Sequence, residues 1–349
     1  MSDAVIKISY DNPWEATARE IGDNTKFVHV ALAEGHPEDM NLIRLARKIP
    51  EAKSTLVGLT KRGFHSYVTK DNATRLVRYD RVPGLWLKVK DGEYSITEDG
   101  VVYSYTPPAS GLAPKRLFVV FSSIHSNMYT TSLMRHFMQN FPTVQKYLPS
   151  DTAVLRIADL GGVAGAFYLN TSYLRDNVSA IQRLLASVAN QHKIGHDSVV
   201  LYGVSKGGTG ALYHALKGGY RCVAVDPIVS DAYYEEQHRD SHFTAGGIFP
   251  ASKQSVFREL INTVVDGGAR VSGAYSRWSV ICSDFSPQFV YISDILVRPL
   301  LDHISFFNSR NPEIKDHPDV GPRTVNTATS LMNMHLYGIP IRSGMNQID

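Results

Sequence analysis

The chain has only two cysteines, Cys222 and Cys282, in 349 residues. Each sits inside an apolar run that reads as a buried strand, so the expectation is reduced core thiols, with neither a disulfide framework nor a thiolate metal site. That usage suits a reducing, cytoplasmic setting. Long hydrophobic runs are absent as well. No window approaches 18 uncharged apolar residues, which excludes a spanning helix, and Met1 to Asp11 lacks the basic start and apolar stretch of an export signal. A peripheral place in a membrane-associated biosynthetic complex, or a homo-oligomer, leaves no such mark. Charge of one sign is also scarce. The formal net charge is +3 and the basic residues are scattered, so nucleic acid is not an expected partner.

What is present is ordinary globular material, with 43% hydrophobic and 20% charged residues, enough for a sizeable core. Residues 1–110 carry short runs that read as strands at Phe27 to Leu32, Ser54 to Leu59, Arg75 to Tyr79, Gly84 to Val89 and Val101 to Tyr105, with one helix at Met40 to Lys48. They are expected to form a small α+β N-terminal domain. After the Pro-, Ser- and Gly-containing loop 106–114 the rhythm changes to apolar strands alternating with longer helices. Strands are expected at Arg116 to Phe121, Ala153 to Ala158, Ser198 to Tyr202, Arg221 to Val225, Trp278 to Ser283 and His303 to Phe307, with helices near 174–192, 207–216, 252–265 and 323–336. This pattern predicts an α/β-hydrolase-like, mostly parallel sheet with helices on both faces over residues 115–349.

The chemistry is carried by Gly203-Val-Ser205-Lys-Gly207, placed between an apolar strand and a small-residue helix. A serine at such a turn is pushed out at the carboxyl end of the sheet, and the flanking glycines let backbone approach closely. Ser205 is the expected nucleophile. In chain order an acid and then a histidine should follow. Asp284, directly after the strand 278–283, is the favoured acid; Asp226 and Asp294 are the rivals. His317, in the loop after the last expected strand, is the favoured general base, ahead of His303 and His335. The oxyanion hole would use the amides of Lys206 and Ser123, with the Lys206 side chain facing solvent or substrate. His125, Asp159 and Tyr168, on loops opening at the same edge, are read as substrate contacts, and residues 226–250, with Tyr233, Tyr234, Asp240 and His242, as a lid. No metal-ligand spacing and no phosphate-cradling loop occurs, so no metal or cofactor is expected.

On Gly203-Val-Ser-Lys-Gly-Gly208, Leu117-Phe-Val-Val-Phe-Ser122, Asp159 through Gly165-Ala-Phe-Tyr168 and Val225-Asp-Pro-Ile228, the chain resembles capsular-polysaccharide biosynthesis proteins of α/β-hydrolase fold, including capsule O-acetyltransferases and accessory-secretion proteins that modify glycans. The resemblance covers residues 115–335. It implies a Ser205, Asp284, His317 triad acting on a surface carbohydrate or its activated acyl donor. A peptidase or general esterase, and a catalytically silent scaffold in a polymer-synthesis or secretion complex, stay open beside it.

Overall fold

A computed structural model describes residues 4–37, 39–266 and 275–349. The strands in chain order are β1 Ala4–Ser9, β2 Thr25–Ala31, β3 Phe64–Lys70, β4 Ala73–Arg78, β5 Ser95–Ile96, β6 Val102–Thr106, β7 Arg116–Phe121, β8 Thr152–Ile157, β9 Val199–Val204, β10 Arg221–Val225, β11 Tyr275–Ser276, β12 Trp278–Cys282, β13 Ser305–Ser309, β14 Ile341–Arg342 and β15 Gly344–Ile348. Nine of them form one sheet in the order β15-β13-β12-β10-β9-β7-β8-β6-β5. From β15 to β8 every pairing is parallel, and β6 alone is reversed, pairing antiparallel with β8 on one side and β5 on the other.

The central strands are apolar along their whole length because both faces are covered. In β7 and β9, Leu117, Val119, Phe121 and Leu201 face a core shared with the helices Asn177–Gln191, Lys206–Gly218 and Lys253–Asp266. Phe118, Val120, Val200 and Tyr202 face the opposite core, closed by the helix Val325–Leu336. The expected α/β-hydrolase-like sheet with helices on both faces is therefore the fold of this chain. Cys222 and Cys282 are buried free thiols within β10 and β12. Among the described residues no helix is long and apolar enough to cross a membrane.

The front of the chain departs from the sequence pattern in three places. Ser54 to Leu59 is not a strand but the middle of the helix Pro50–Lys61, whose proline occupies the first turn and whose Ala52, Leu56 and Leu59 recur on one buried face. Gly84 to Val89 forms two short helical turns, with Val82 and Trp86, four residues apart, buried together. Finally, β5 and β6 belong to the large sheet, β6 pairing with β8, so the expected boundary at residue 110 falls inside that sheet. Edge strands are half-solvated and alternate apolar with polar residues, which makes this pair resemble part of a separate small domain. The remaining front unit, the β1-β2-β4-β3 sheet and the helix Pro50–Lys61, packs Val28, Leu56 and Leu59 into the same core as β7 and β9.

Candidate active site

The site grows from the turn after β9. Ser205 has φ 57° and ψ −123°, a strained conformation for a residue with a Cβ, held by its amide donating to Val225 O at 2.9 Å. The small residues around it are steric requirements. A Cβ on Gly203 would lie 2.0 Å from Gly207 O, and one on Gly207 would lie 2.2 Å from Phe121 O. The sharp turn can exist only because those two positions carry none.

At the turn, the side chains of Ser205 and His317 meet. His317 Nε2 is 2.7 Å from Ser205 Oγ, and His317 Nδ1 is 2.7 Å from Asp226 Oδ2. The ring is fixed from its backbone by its place at the first turn of the helix His317–Arg323, which Asp316 and Asp319 close with a capping box. Asp226 is fully buried, has φ 42°, and its Oδ2 also accepts from Ser286 Oγ at 2.5 Å. A buried carboxylate fixed by a hydroxyl is well placed to hold the imidazole with Nδ1 protonated and Nε2 free to accept.

The acid expected from the sequence is Asp284, and the structure puts it elsewhere. The neighbour of β9 is β10, with β12 one strand further out, so the end of β12 lies about 10 Å from the nucleophile strand at the usual interstrand spacing. Asp284 N donates to Asn308 Oδ1, and its carboxylate turns outward to Arg310 Nε at 3.5 Å. Asp226, at the end of the adjacent strand, occupies the position against His317. Asp294 pairs with Arg258 and Arg298 at the surface, and His335 is buried against Ser279 Oγ on the far side of the sheet.

The other residues expected at the site are placed as follows. Asp159 is a buried staple, accepting from the amides of Ala166, Phe167 and Tyr168 at 3.0–3.1 Å and pairing with Lys206 Nζ at 2.9 Å. Lys206 is accordingly fully buried, its ammonium beneath the nucleophile turn and not in solvent. Tyr168 is also fully buried, its hydroxyl accepting from Ser122 N and donating to Ile157 O at 3.0 Å, so Asp159 and Tyr168 both face the interior of the protein. The loop after β8 dives under the turn because its own amides need an acceptor there. His125 lies on the loop after β7 with Nδ1 accepting from Asn127 N, outside the set of residues that line the cleft. The Ser123 amide is taken by Asn140 Oδ1 at 2.7 Å, and Asn140 Nδ2 donates back to Ser123 Oγ, so in this structure that amide is not free for an oxyanion. Lys206 N stands at the start of the helix Lys206–Gly218, directly after the nucleophile turn and at the positive end of the helix dipole.

The Ser205 hydroxyl opens into a cleft of about 540 Å³ bordered by Ser126, Asn140, Tyr233, Tyr234, His238 and His242. The segment 226–250 supplies four of these residues. The His242 ring packs against Tyr234 with centroids 3.7 Å apart, and burial lowers its pKa well below the ordinary histidine value, which keeps it neutral in the wall. Asp240, another acid of that segment, binds Thr244 and Ala245 amides and Lys53 of the front unit at 3.1 Å. Nothing local in the sequence marks Asn140, His238 or Ser286 as members of the site. Among the described residues no group of His, Cys, Asp or Glu is arranged to hold a metal ion.

The sheet order, the strained serine turn after β9 and the histidine after β13 define the class, an α/β-hydrolase-like domain with a serine–histidine–aspartate constellation. No protein-family model and no curated protein matches the chain. Solved structures similar to it include the capsule O-acetyltransferase of Neisseria meningitidis serogroup A, at 13% identity and TM-score 0.49 over 70% of this chain and 94% of that one. The Glycosylation Associate Protein (Gap123) complex from Streptococcus agalactiae is matched at 17% identity and TM-score 0.48 over 71% of this chain, which spans 46% of the matched chain's length. An S-formylglutathione hydrolase from Agrobacterium tumefaciens is matched at 15% identity and TM-score 0.43, over 70% of this chain and 92% of its own.

Proposed function

We propose that the chain is a serine-dependent esterase or O-acyltransferase that uses Ser205, His317 and Asp226, with a carbohydrate hydroxyl as the alcohol partner. The observation that carries the reading is the continuous hydrogen-bonded relay from Ser205 Oγ through the His317 ring to the buried Asp226 carboxylate. His317 Nε2 accepts the Ser205 proton as Oγ attacks the acyl carbonyl, and the Lys206 amide donates to the developing oxyanion. Collapse expels the alcohol or thiol leaving group, which takes the proton back from His317. The acyl-serine then passes its acyl group to water or to a sugar hydroxyl deprotonated by the same imidazole, restoring Ser205. A second oxyanion donor would be the Ser123 amide, once Asn140 swings off it. The tyrosines and polar groups of the cleft, Tyr233, Tyr234, Asn140 and Ser126, favour a polyol over a peptide, since aromatic faces with hydroxyl and amide partners suit sugar rings. The buried free thiols support a reducing, cytoplasmic compartment.

The test is acyl-enzyme trapping. Wild-type protein is mixed with p-nitrophenyl acetate, quenched in acid and read by intact and peptide mass. An acetyl group on the peptide holding Ser205, absent in Ser205→Ala, supports the reading. A folded wild-type protein that never acylates argues for a silent scaffold.

A further inference from the structure

The cleft is not the only opening at this edge of the sheet. Beside it lies a pocket of about 390 Å³ lined by Asp39, Met40, Arg44, Arg47, Lys48, Tyr129, His238 and Arg239. His238 borders both cavities, and its ring packs against Tyr233 at 5.0 Å between centroids, so the two are separated by the thickness of one side chain. Three separated segments converge here: the short helix Leu42–Leu45 with its following turn brings Arg44, Arg47 and Lys48, the 226–250 segment brings His238 and Arg239, and the loop after β7 brings the Tyr129 ring between them.

The backbone at Tyr129 and the Arg47 side chain are both held in place. Asn41, which caps the short helix, donates Nδ2 to Tyr129 O at 3.0 Å, and Arg47 lies over the Tyr129 ring at 4.8 Å. Asp39 is the one carboxylate among the described residues that line the pocket, and at 3.5 Å from Arg44 it offsets a single cation of the four. Guanidinium and ammonium groups over an aromatic floor, beside a reactive serine, recognise an anion and not a neutral sugar face.

We propose that this pocket binds an anionic group, phosphate or carboxylate, carried by the substrate whose acyl centre sits at Ser205. The anion belongs either to a phosphorylated acyl donor or to an acidic glycan acceptor, and its attachment to the reacting part spans the His238 wall. The proposal rests on the catalytic reading for its link to Ser205, but the anion site itself does not. Arg47 and Lys48 are exposed, so charge reversal at both leaves the packing of the short helix, made by Leu42, Ile43 and Leu45, intact.

The experiment is calorimetric binding of inorganic tripolyphosphate to the wild type, to Ser205→Ala and to Arg47→Glu/Lys48→Glu, with thermal melting as the check on folding. The expected result is binding to the first two with equal affinity, weakening as salt is raised, and a loss of tenfold or more in the folded double variant. Displacement of tripolyphosphate by coenzyme A then assigns the anion to the donor, and displacement by a uronate oligosaccharide assigns it to the acceptor. Equal tripolyphosphate binding in wild type and double variant would overturn the site. Displacement by neither molecule would overturn its link to the substrate. A wild type that binds tripolyphosphate but does not acylate at Ser205 would sink the catalytic reading while leaving the anion site standing.

Discussion

Replacing Asp226 with asparagine separates the two carboxylates that compete for the triad. Asp226 Oδ2 receives both His317 Nδ1 and Ser286 Oγ, at 2.7 and 2.5 Å, in a fully buried position. An asparagine there keeps the volume, and with its NH2 in the place of Oδ2 one N–H donates to His317 Nδ1 and the other to Ser286 Oγ. The amide NH2 then faces the ring, Nδ1 becomes the acceptor, and the proton moves to Nε2, where it blocks acceptance from Ser205. In serine hydrolases that tautomer error lowers turnover by about 10⁴, or about 5 kcal/mol of transition-state stabilisation. Asp284→Asn removes only an outward-facing contact to Arg310 at 3.5 Å, of the kind that contributes roughly 0–1 kcal/mol, so its effect on rate should stay within about twofold. The assay is kcat/KM for p-nitrophenyl acetate in both variants, with circular dichroism to confirm the fold. Equal losses, or a larger loss for Asp284→Asn, would refute the assignment.

Other consequences concern the support beneath the turn. Asp159→Ala leaves the Lys206 ammonium and the Ala166, Phe167 and Tyr168 amides unpaired, whereas Lys206→Met leaves Asp159 with those amides still bound; urea unfolding should show about 5 kcal/mol for the first and about 3 for the second. Gly165→Ala would place a Cβ 2.2 Å from Asp159 Oδ2 at φ +101°, and the same unfolding measurement should register a loss of about 3 kcal/mol. Acid should also destabilise the fold. Burial pushes His65 and His335 down to about 3 and His214 down to about 4, so the unfolded chain binds more protons than the native one below the ordinary histidine pKa. Stability is complete above pH of about 6.5 and falls by about 1 kcal/mol per buried histidine for each unit below it; thermal midpoints at pH 7.5 and 5.5 check the sign, which a rise in acid would reverse.

Ser205 is legible in the sequence because a strand, a turn and a glycine-lined helix start are local features, and the steric demand for Gly203 and Gly207 is written in adjacent residues. His317 follows from chain order. The acid does not, because β10 and β12 are each followed by an aspartate, and what selects Asp226 is adjacency to β9 together with Ser286, 60 residues away in sequence. Asp159 and Tyr168 mislead for a related reason. Their position after β8 is the position of a substrate loop, and only the three amides folded back onto Asp159 reveal an internal anchor. The central strands stand out because full burial makes them continuously apolar. The front unit is harder to read where Thr55 and Val57, β-branched residues, lie in a helix whose packing outweighs their strand preference.

The measurement that bears most directly on the central claim is the rate of fluorophosphonate labelling in the purified wild type, Ser205→Ala and His317→Ala, followed by intact mass. A Ser205 hydroxyl activated by His317 predicts one label on the wild type, none on Ser205→Ala and a labelling rate lower by orders of magnitude in His317→Ala. Labelling that persists in Ser205→Ala, or that is indifferent to His317, would contradict the account.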